Sequence, residues 1–390
     1  MVDLNLISFL VFVAICIALV VRNRKNIEFK GVFLLFKTKF LIHLIERFSK
    51  YRKLIHILLW PIVILGFLGL VFTSGLLVKH TIDIVLGKTS VGGVAPVLPF
   101  KIPGVKTIVP PFFFWIVSIA VLVIVHEVAH GVVAKYFSMR LKSAGVGLFA
   151  LILPLAYVEP EEEDIQKAKL RKQLGVFAAG SFSNFLFGFI FFGLFSLALF
   201  GFGALADNYF TPNGALVGGV VNESGAFKAN LTAGDTINFV DEKEVLDPED
   251  YLEYMKGVKV GEVVSIKTLD GKKVEVVTEE NEIGRASIGI KPLVNSYVSD
   301  TKTSVISTIF TFIVRLFYWL YLFNLGVGAA NLLPLPITDG GLMVKAVLGG
   351  ASKKWKSLSA PLGFTYILIS FGMLVVLIIN IFPGVVKLGI

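Results

Sequence analysis

Six apolar stretches constrain this chain more than any other feature of its sequence. Each is close to or above the roughly 20 residues that a helix needs to cross the hydrocarbon layer of a bilayer, and none alternates like a strand of a membrane β-barrel. Because 55% of the residues are hydrophobic and only 17% are charged, a soluble domain could not bury them all. We therefore predict an all-α polytopic membrane protein with about six transmembrane helices, near residues 4–21, 55–78, 112–138, 174–205, 302–330 and 359–382.

The charges between these stretches predict one orientation in the membrane. Ten basic residues lie between Arg22 and Lys53, and six more lie within residues 139–173. Short loops rich in Lys and Arg stay on the cytoplasmic side, so we expect the N-terminus outside. The apolar run at the N-terminus has no basic segment before it and no small-residue cleavage site after it, so we interpret it as a spanning helix and not a removable signal. The net charge of +9 comes from these loops, so it does not indicate binding to nucleic acid, and we expect no nucleic-acid partner.

Residues 206–300 differ in composition from the rest of the chain. They hold 9 of the 37 Lys and Arg residues but 17 of the 28 Asp and Glu residues. Short β-prone runs alternate with turns, and "LDGKKVEV" predicts a hairpin because Asp-Gly suits a two-residue turn. The run "PEDYLEYMKGV" has helical spacing with a proline near its start. We predict a soluble α+β domain, inserted on the extracytoplasmic side.

Part of this insert resembles the PDZ family. In "SGAFKANLTAGDTINFVD", a small residue and then Leu-x-x-Gly-Asp-x-Ile lead from a short helix into a strand. The residues that carry the resemblance are Leu231, Gly234, Asp235 and Ile237. An unrelated small β-rich domain remains the alternative.

Two further segments allow more than one interpretation. Residues 33–48 mix apolar and basic side chains, which suits either a helix lying flat on the membrane surface or a hairpin on the soluble side. Residues 142–160 are apolar with scattered Gly and Pro, which suits either a membrane-embedded β-hairpin or a re-entrant packing loop.

The motif "HEVAH" interrupts the third apolar stretch with three polar side chains. Residues four apart in a helix lie on the same face, so His126 and His130 can bind one Zn²⁺ through neutral nitrogens. Glu127 then lies where a carboxylate reaches a water on the metal without being a ligand, as in other His-Glu-x-x-His hydrolases. Ionisable residues inside a spanning helix are costly and indicate function. A structural pair of buried histidines is the alternative.

Two histidines leave a tetrahedral zinc short of at least one protein ligand. The single cysteine, Cys16, lies in the first apolar stretch and cannot form a thiolate cluster. The clear candidate is Asp339 in "NLLPLPITDGG", where prolines and glycines break a helix at membrane depth. Irregular backbone is tolerated there only when it is buried in protein or lines a wet cavity. A plain loop at the cytoplasmic face is the alternative.

These two motifs together resemble the site-2 protease family of intramembrane zinc metalloproteases. The family's second motif is Asn-x-x-Pro-x-Pro-x-x-Asp-Gly, and every fixed position matches. A third feature, Gly-x-x-x-Asn, appears as "GSFSN", and the order of motifs also agrees over residues 112–345. The matching positions are Asn331, Pro334, Pro336, Asp339, Gly340, Gly180 and Asn184.

The resemblance implies a role for each site residue. His126, His130 and Asp339 would be the ligands of one Zn²⁺, and Glu127 would be the catalytic base. Asn184 and Asn331 would contact the substrate backbone or stabilise the oxyanion. The alternative for an Asn in a spanning helix is a hydrogen bond to a neighbouring helix.

We therefore predict an intramembrane zinc endopeptidase that cuts membrane-protein substrates with a single transmembrane helix. It would lie in the lipid bilayer, in a membrane that is expected to be a prokaryotic cell membrane, with the active site near the cytoplasmic side. Two alternatives remain: a membrane metallopeptidase with a soluble active site, and a transporter or ion-binding channel that uses the same cluster. The predicted regions are N-terminal transmembrane helices and loops (1–111), the first half of the catalytic core (112–205), the PDZ-like domain (206–300), the second half of the core (301–345) and a C-terminal helix (346–390).

Overall fold

The computed structural model divides the chain into two compact units. The first comprises Met1–Ser196 and Ile313–Ile390, and the second comprises Leu197–Phe312. The residues that the structure describes are 4–22, 27–31, 33–102, 105–149, 153–209, 212–281, 284–291, 293–297, 301–354 and 359–384. The region boundaries inferred from the sequence stay predictions.

Helices coincide with all six predicted apolar stretches. Five of them are long and apolar enough to cross a membrane, whereas the first contributes a shorter apolar helix, Ile7–Arg22. Many of their large hydrophobic side chains point outward, including Phe200 (76% exposed) and Ile57 (68% exposed), as expected for faces that contact lipid. The helices outside the insert are α1 (Leu4–Arg22), α2 (Lys39–Ser49), α3 (Arg52–Val85), α4 (Phe112–Tyr136), α5 (Glu162–Lys167), α6 (Leu170–Tyr209), α9 (Thr301–Asn331), α10 (Asp339–Lys354) and α11 (Ser359–Ile381).

An antiparallel four-stranded sheet lies beside the helices of the first unit. Its strands, in the order β1-β2-β3-β4, are Ile27–Lys30, Phe33–Lys37, Leu141–Phe149 and Leu153–Pro160. Strands β3 and β4, within the segment 142–160, therefore pair as antiparallel neighbours. Residues 150–152 lie outside the described residues, and a membrane-embedded hairpin stays a prediction. A Cβ on Gly145 would lie 2.2 Å from the Phe36 carbonyl oxygen, so the glycine lets β2 approach closely.

The segment predicted as either a surface helix or a hairpin contains one strand and one helix, and its position relative to the membrane stays a prediction. Residues 33–37 form β2, which pairs with β3, and Thr38 caps the start of α2 by accepting a hydrogen bond from Phe40 N at 3.2 Å. Leu41 and Ile45 are fully buried against α4, while Phe40 on the opposite face is exposed. The buried apolar residues of α2 are therefore explained by packing against another helix of the protein. Its exposed apolar residue, Phe40, is not explained by that packing.

The second unit is a small α+β domain. Its strands are β5 (Pro212–Val217), β6 (Thr236–Val240), β7 (Lys243–Glu244), β8 (Val263–Thr268), β9 (Lys273–Val277), β10 (Glu279–Glu280), β11 (Ala286–Ser287) and β12 (Leu293–Tyr297), and its helices are α7 (Gly225–Lys228) and α8 (Pro248–Met255). The main sheet has the order β12-β5-β6-β8-β9, with β7 paired to β6, and β10 pairs with β11. An apolar core that includes Val217, Ile237, Ile266 and Ile288 holds these elements together.

The local predictions for the insert are confirmed with one correction. Helix α8 begins with Pro248, and Asp247 caps it by accepting a hydrogen bond from Asp250 N at 2.9 Å. The β8–β9 hairpin forms, but the predicted two-residue turn is wrong. Four residues, 269–272, separate the strands, and Gly271 takes the left-handed conformation (φ 90°). Glycine in that conformation also suits the longer hairpin loops.

Candidate metal centre

The two histidines of "HEVAH" lie on one face of α4, as their spacing predicts. His126 Nε2 and His130 Nε2 are 3.1 Å apart, and both side chains are largely buried, at 12% and 14% exposed. The residues on either side of the motif continue the apolar helix.

Asp339 reaches the same point from the other end of the sequence. It is the first residue of α10, and its carboxylate lies 3.2 Å from His130 Nε2 and 3.6 Å from His126 Nε2. The hydroxyl of Thr338 lies 3.3 Å from Gly341 N, as an N-cap does, and 2.5 Å from the Leu333 carbonyl oxygen. The cap therefore fixes the backbone that carries Asp339.

These separations fit a tetrahedral metal. Bonds of about 2.0–2.2 Å at a tetrahedral angle place neighbouring ligand atoms about 3.3–3.6 Å apart. The 3.1 Å between the two imidazole nitrogens and the 3.2 Å from His130 Nε2 to Asp339 Oδ1 are close to that range. Ligand atoms of all three residues lie within 4.8 Å of one another. Two imidazole nitrogens and a carboxylate oxygen are a typical donor set for Zn²⁺. By geometry and chemistry, the residues fit the ion.

Helix α6 makes room for this cluster at Gly180. A Cβ there would lie 2.3 Å from His130 Nε2 and 2.6 Å from His126 Nε2. Any other residue would occupy the space beside the two nitrogens that face the centre. The glycine of the Gly-x-x-x-Asn feature is therefore explained by the close approach of α6 to the two imidazoles.

The same helix hydrogen-bonds each of the three candidate ligands. His130 Nδ1 lies 2.7 Å from the Val176 carbonyl oxygen. Ser181 donates to Asp339 Oδ2 from its backbone N–H at 3.1 Å and from its hydroxyl at 2.7 Å. The Asn184 amide lies 3.0 Å from His126 Nδ1. Ser181 was not predicted from the sequence as a site residue. The one indication was its position directly after Gly180 in the Gly-x-x-x-Asn feature.

Glu127 and Asn331 lie at a cavity beside the cluster. The cavity has a volume of about 410 Å³, and His126, His130, Asp339, Asn184 and Asn331 contribute to its walls together with Glu127. Glu127 Oε2 accepts a hydrogen bond from the backbone N–H of Val158 on β4 at 2.9 Å. The structure thus brings all six predicted site residues to one cavity.

An ion pair outside the membrane helices holds α5 near this cavity. Arg140 donates to both carboxylate oxygens of Asp164, with Nε and Nη2 at 3.0 and 2.9 Å. These hydrogen bonds lower the pKa of Asp164 to about 2. Ile165, the next residue of α5, lines the cavity.

Comparisons with known proteins identify a family and two similar proteins. The family model of Peptidase family M50 matches residues 114–379. The uncharacterised protein MJ0971 of Methanocaldococcus jannaschii is 30% identical over 330 residues, covering 82% of this chain and 79% of that protein. The probable protease eep of Enterococcus faecalis is 23% identical over 266 residues, covering 57% and 60%.

The insert has similar solved structures of its own. The PDZ domain of the SdrC-like protein Lmo2051 from Listeria monocytogenes is 26% identical and covers 21% of this chain and 88% of that structure, with a TM-score of 0.20. A TM-score of 0.20 is too low to establish a shared fold, so the PDZ-like nature of the insert stays a prediction.

The family match covers both halves of the candidate metal centre and most of the apolar helices between and around them. It also bears out the resemblance given by "HEVAH" and "NLLPLPITDGG". This chain belongs to Peptidase family M50, the family of the site-2 proteases.

Proposed function

We propose that this protein is an intramembrane zinc endopeptidase that hydrolyses peptide bonds in or near the transmembrane segments of other membrane proteins. The observation that carries the proposal is the convergence of His126, His130 and Asp339 from two helices at separations of 3.1–3.6 Å. Membership of a family of metalloproteases and the five apolar helices support it.

The remaining site residues would supply the other parts of the chemistry. A bound Zn²⁺ supplies Lewis acidity and brings the pKa of water close to neutrality. Glu127 would accept the proton of the attacking water and pass it to the leaving amine. The Val158 N–H fixes one of its carboxylate oxygens. Asn331, on the cavity wall, is proposed to bind the substrate backbone or the developing oxyanion.

Hydrolysis in a membrane also requires a route for water. A second cavity, of about 790 Å³, shares four wall residues with the first: Pro160, Ile165, Phe177 and Leu342. Its walls carry charged side chains, including Glu161 and Lys345. We propose that the two cavities form one polar path, and that this path opens on the cytoplasmic side, where the basic loops are expected.

The substrate would have to unwind before cleavage, because a helix already satisfies its own amides. Strand β4 is the last strand of its sheet, and Val158 and Pro160 line the cavity. We propose that an extended stretch of a single-span substrate binds along this edge. The insert, proposed to be extracytoplasmic and PDZ-like, would restrict which substrates enter.

Glu127→Gln tests the proposal. We expect cleavage of a single-span substrate in detergent to fall by roughly 10²- to 10⁴-fold, while zinc content stays at one ion per chain, because the residue is not a ligand. The control is Glu46→Gln, since Glu46 is a half-exposed residue paired with Lys135 at 3.9 Å, and it should leave both unchanged.

Undiminished cleavage by Glu127→Gln would refute the proposed mechanism, in which Glu127 is the catalytic base. If the wild-type protein instead moved ions across liposomes and cleaved nothing, the transporter alternative would replace it. Zinc content measured with and without His126→Ala tests the metal itself.

A further inference from the structure

Asn184 stands apart from the other site residues because its side chain is only half satisfied. The residue is fully buried, and its Oδ1 has no hydrogen-bond partner among the described residues. Its Nδ2 lies 3.0 Å from His126 Nδ1. A buried amide oxygen without a partner costs about 1–3 kcal/mol, so the arrangement calls for a physical reason.

A metal bound at His126 Nε2 would determine whether the hydrogen-bond partner of His126 Nδ1 is a donor or an acceptor. A neutral imidazole that binds through Nε2 carries its hydrogen on Nδ1, and Nδ1 is then a donor. The atom opposite it must be an acceptor. The two ends of an amide are nearly the same size, so a half-turn of the Asn184 amide places Oδ1 opposite Nδ1. That orientation supplies the acceptor that His126 Nδ1–H requires, and Nδ2 then takes the place that Oδ1 occupies here.

The other two ligands are held in the same way by the same helix. The carbonyl oxygen of Val176 lies 2.7 Å from His130 Nδ1, the acceptor that a metal on Nε2 requires. Ser181 binds Asp339 Oδ2 twice, which leaves Oδ1 facing His130 Nε2 at 3.2 Å. Residues 176, 181 and 184 lie on two turns of α6, with Gly180 between them.

We infer that Asn184 is a positioning residue whose amide oxygen accepts the Nδ1–H of His126 and fixes the ring for the metal. Helix α6 thereby orients all three ligands while contributing none. The inference rests on the proposed metal site, and it replaces the expectation that Asn184 binds the substrate or the oxyanion. Such outer hydrogen bonds typically change metal affinity or activity by 10- to 100-fold.

Two substitutions of Asn184 separate these roles. Asn184→Leu has a similar size and no acceptor, so the zinc dissociation constant, measured by chelator competition, should rise roughly 10- to 100-fold. Asn184→Asp keeps an acceptor opposite Nδ1, as in carboxylate–histidine–zinc triads, and should retain both zinc affinity and cleavage. If the Asn184 amide instead donates to the substrate, Asn184→Asp should retain zinc but lose cleavage.

Zinc affinity is measured in the Glu127→Gln background, which removes turnover from the readout, and cleavage is measured with Glu127 intact. The matched control is Asn324→Leu, because Asn324 is a second fully buried asparagine whose Oδ1 has no partner in the described part of the chain. Its amide donates within its own helix, to Leu320 O at 2.8 Å. Its zinc affinity should match that of the parent. If Asn184→Leu fails to fold, Asn184→Ala takes its place.

Three results would overturn the inference: wild-type zinc affinity in Asn184→Leu, an equal loss in Asn324→Leu, or loss of cleavage with retained zinc in Asn184→Asp. If the parent protein bound no zinc at all, the proposed function itself would fail, which is a distinguishable outcome.

Discussion

Both compact units of this chain have an apolar core, and the first also buries a cluster of polar groups at the candidate metal centre. The second unit has a cluster of fourteen buried residues that are all apolar apart from the hydroxyl of Tyr251. The first unit buries Ser181, Asn184 and Asp339 at one point, each hydrogen-bonded to a particular partner. An apolar core tolerates any set of side chains that fills it, whereas the polar cluster depends on individual atoms. Four substitutions test this difference.

The largest expected effect is in the second unit. Ile266 is fully buried on β8, so Ile266→Ala should destabilise that unit by about 2–5 kcal/mol. Hydrogen exchange of the β8 and β9 amides measures the change. Val263→Ala, on the same strand but 53% exposed, should have little effect. Zinc affinity should be unchanged in both, and a loss of zinc in Ile266→Ala would show that the two centres are not independent.

Gly180→Ala should affect the metal centre alone. The added Cβ overlaps both ligand nitrogens, and overpacking costs about 1–3 kcal/mol. Zinc affinity should therefore fall by roughly 10- to 100-fold, and cleavage should fall with it. Gly193→Ala is the control, because that position of the same helix has nothing within 4 Å of an added Cβ. Normal zinc binding by Gly180→Ala would refute the packing explanation.

Thr338→Val should have a smaller effect at the same centre. It removes the hydroxyl that caps α10 while keeping the side chain's shape, at a cost of about 1 kcal/mol. We expect Asp339 to be held less firmly and zinc affinity to fall several-fold, as measured by chelator competition. Thr338→Ser should restore it. If both variants bind zinc equally well, the cap does not position the ligand.

The smallest effect is expected at the Arg140–Asp164 ion pair. The arginine lowers the pKa of Asp164 from 3.8 to about 2, so the pair stabilises α5 above pH 4 and the stabilisation is lost as the pH falls towards 2. Protection of the α5 amides, taken relative to their intrinsic exchange rate at each pH, should therefore fall over that window. Asp164→Asn should remove this pH dependence. Glu162→Gln removes a carboxylate of the same helix that contacts Gln166, and it should keep the pH dependence.

The sequence predicted the features that depend on local pattern. Apolar length located the helices, and helical spacing placed His126 and His130 on one face. Asp339 was found because a carboxylate among prolines and glycines is unusual at membrane depth. The hydrogen bonds of Ser181 were not foreseen, because a helical serine commonly bonds its own helix. The register of β2 on β3 was also missed, since five residues carry too little alternation to indicate a partner more than 100 positions away.

That β2–β3 pairing has a practical consequence for the catalytic region. A fragment beginning at residue 112 would keep every residue named at the metal centre, yet it would lack the strand that satisfies one side of β3. The exposed row of N–H and C=O groups would be a template for another chain. Such a fragment should self-associate in detergent, so a minimal preparation of this membrane region has to retain strand β2.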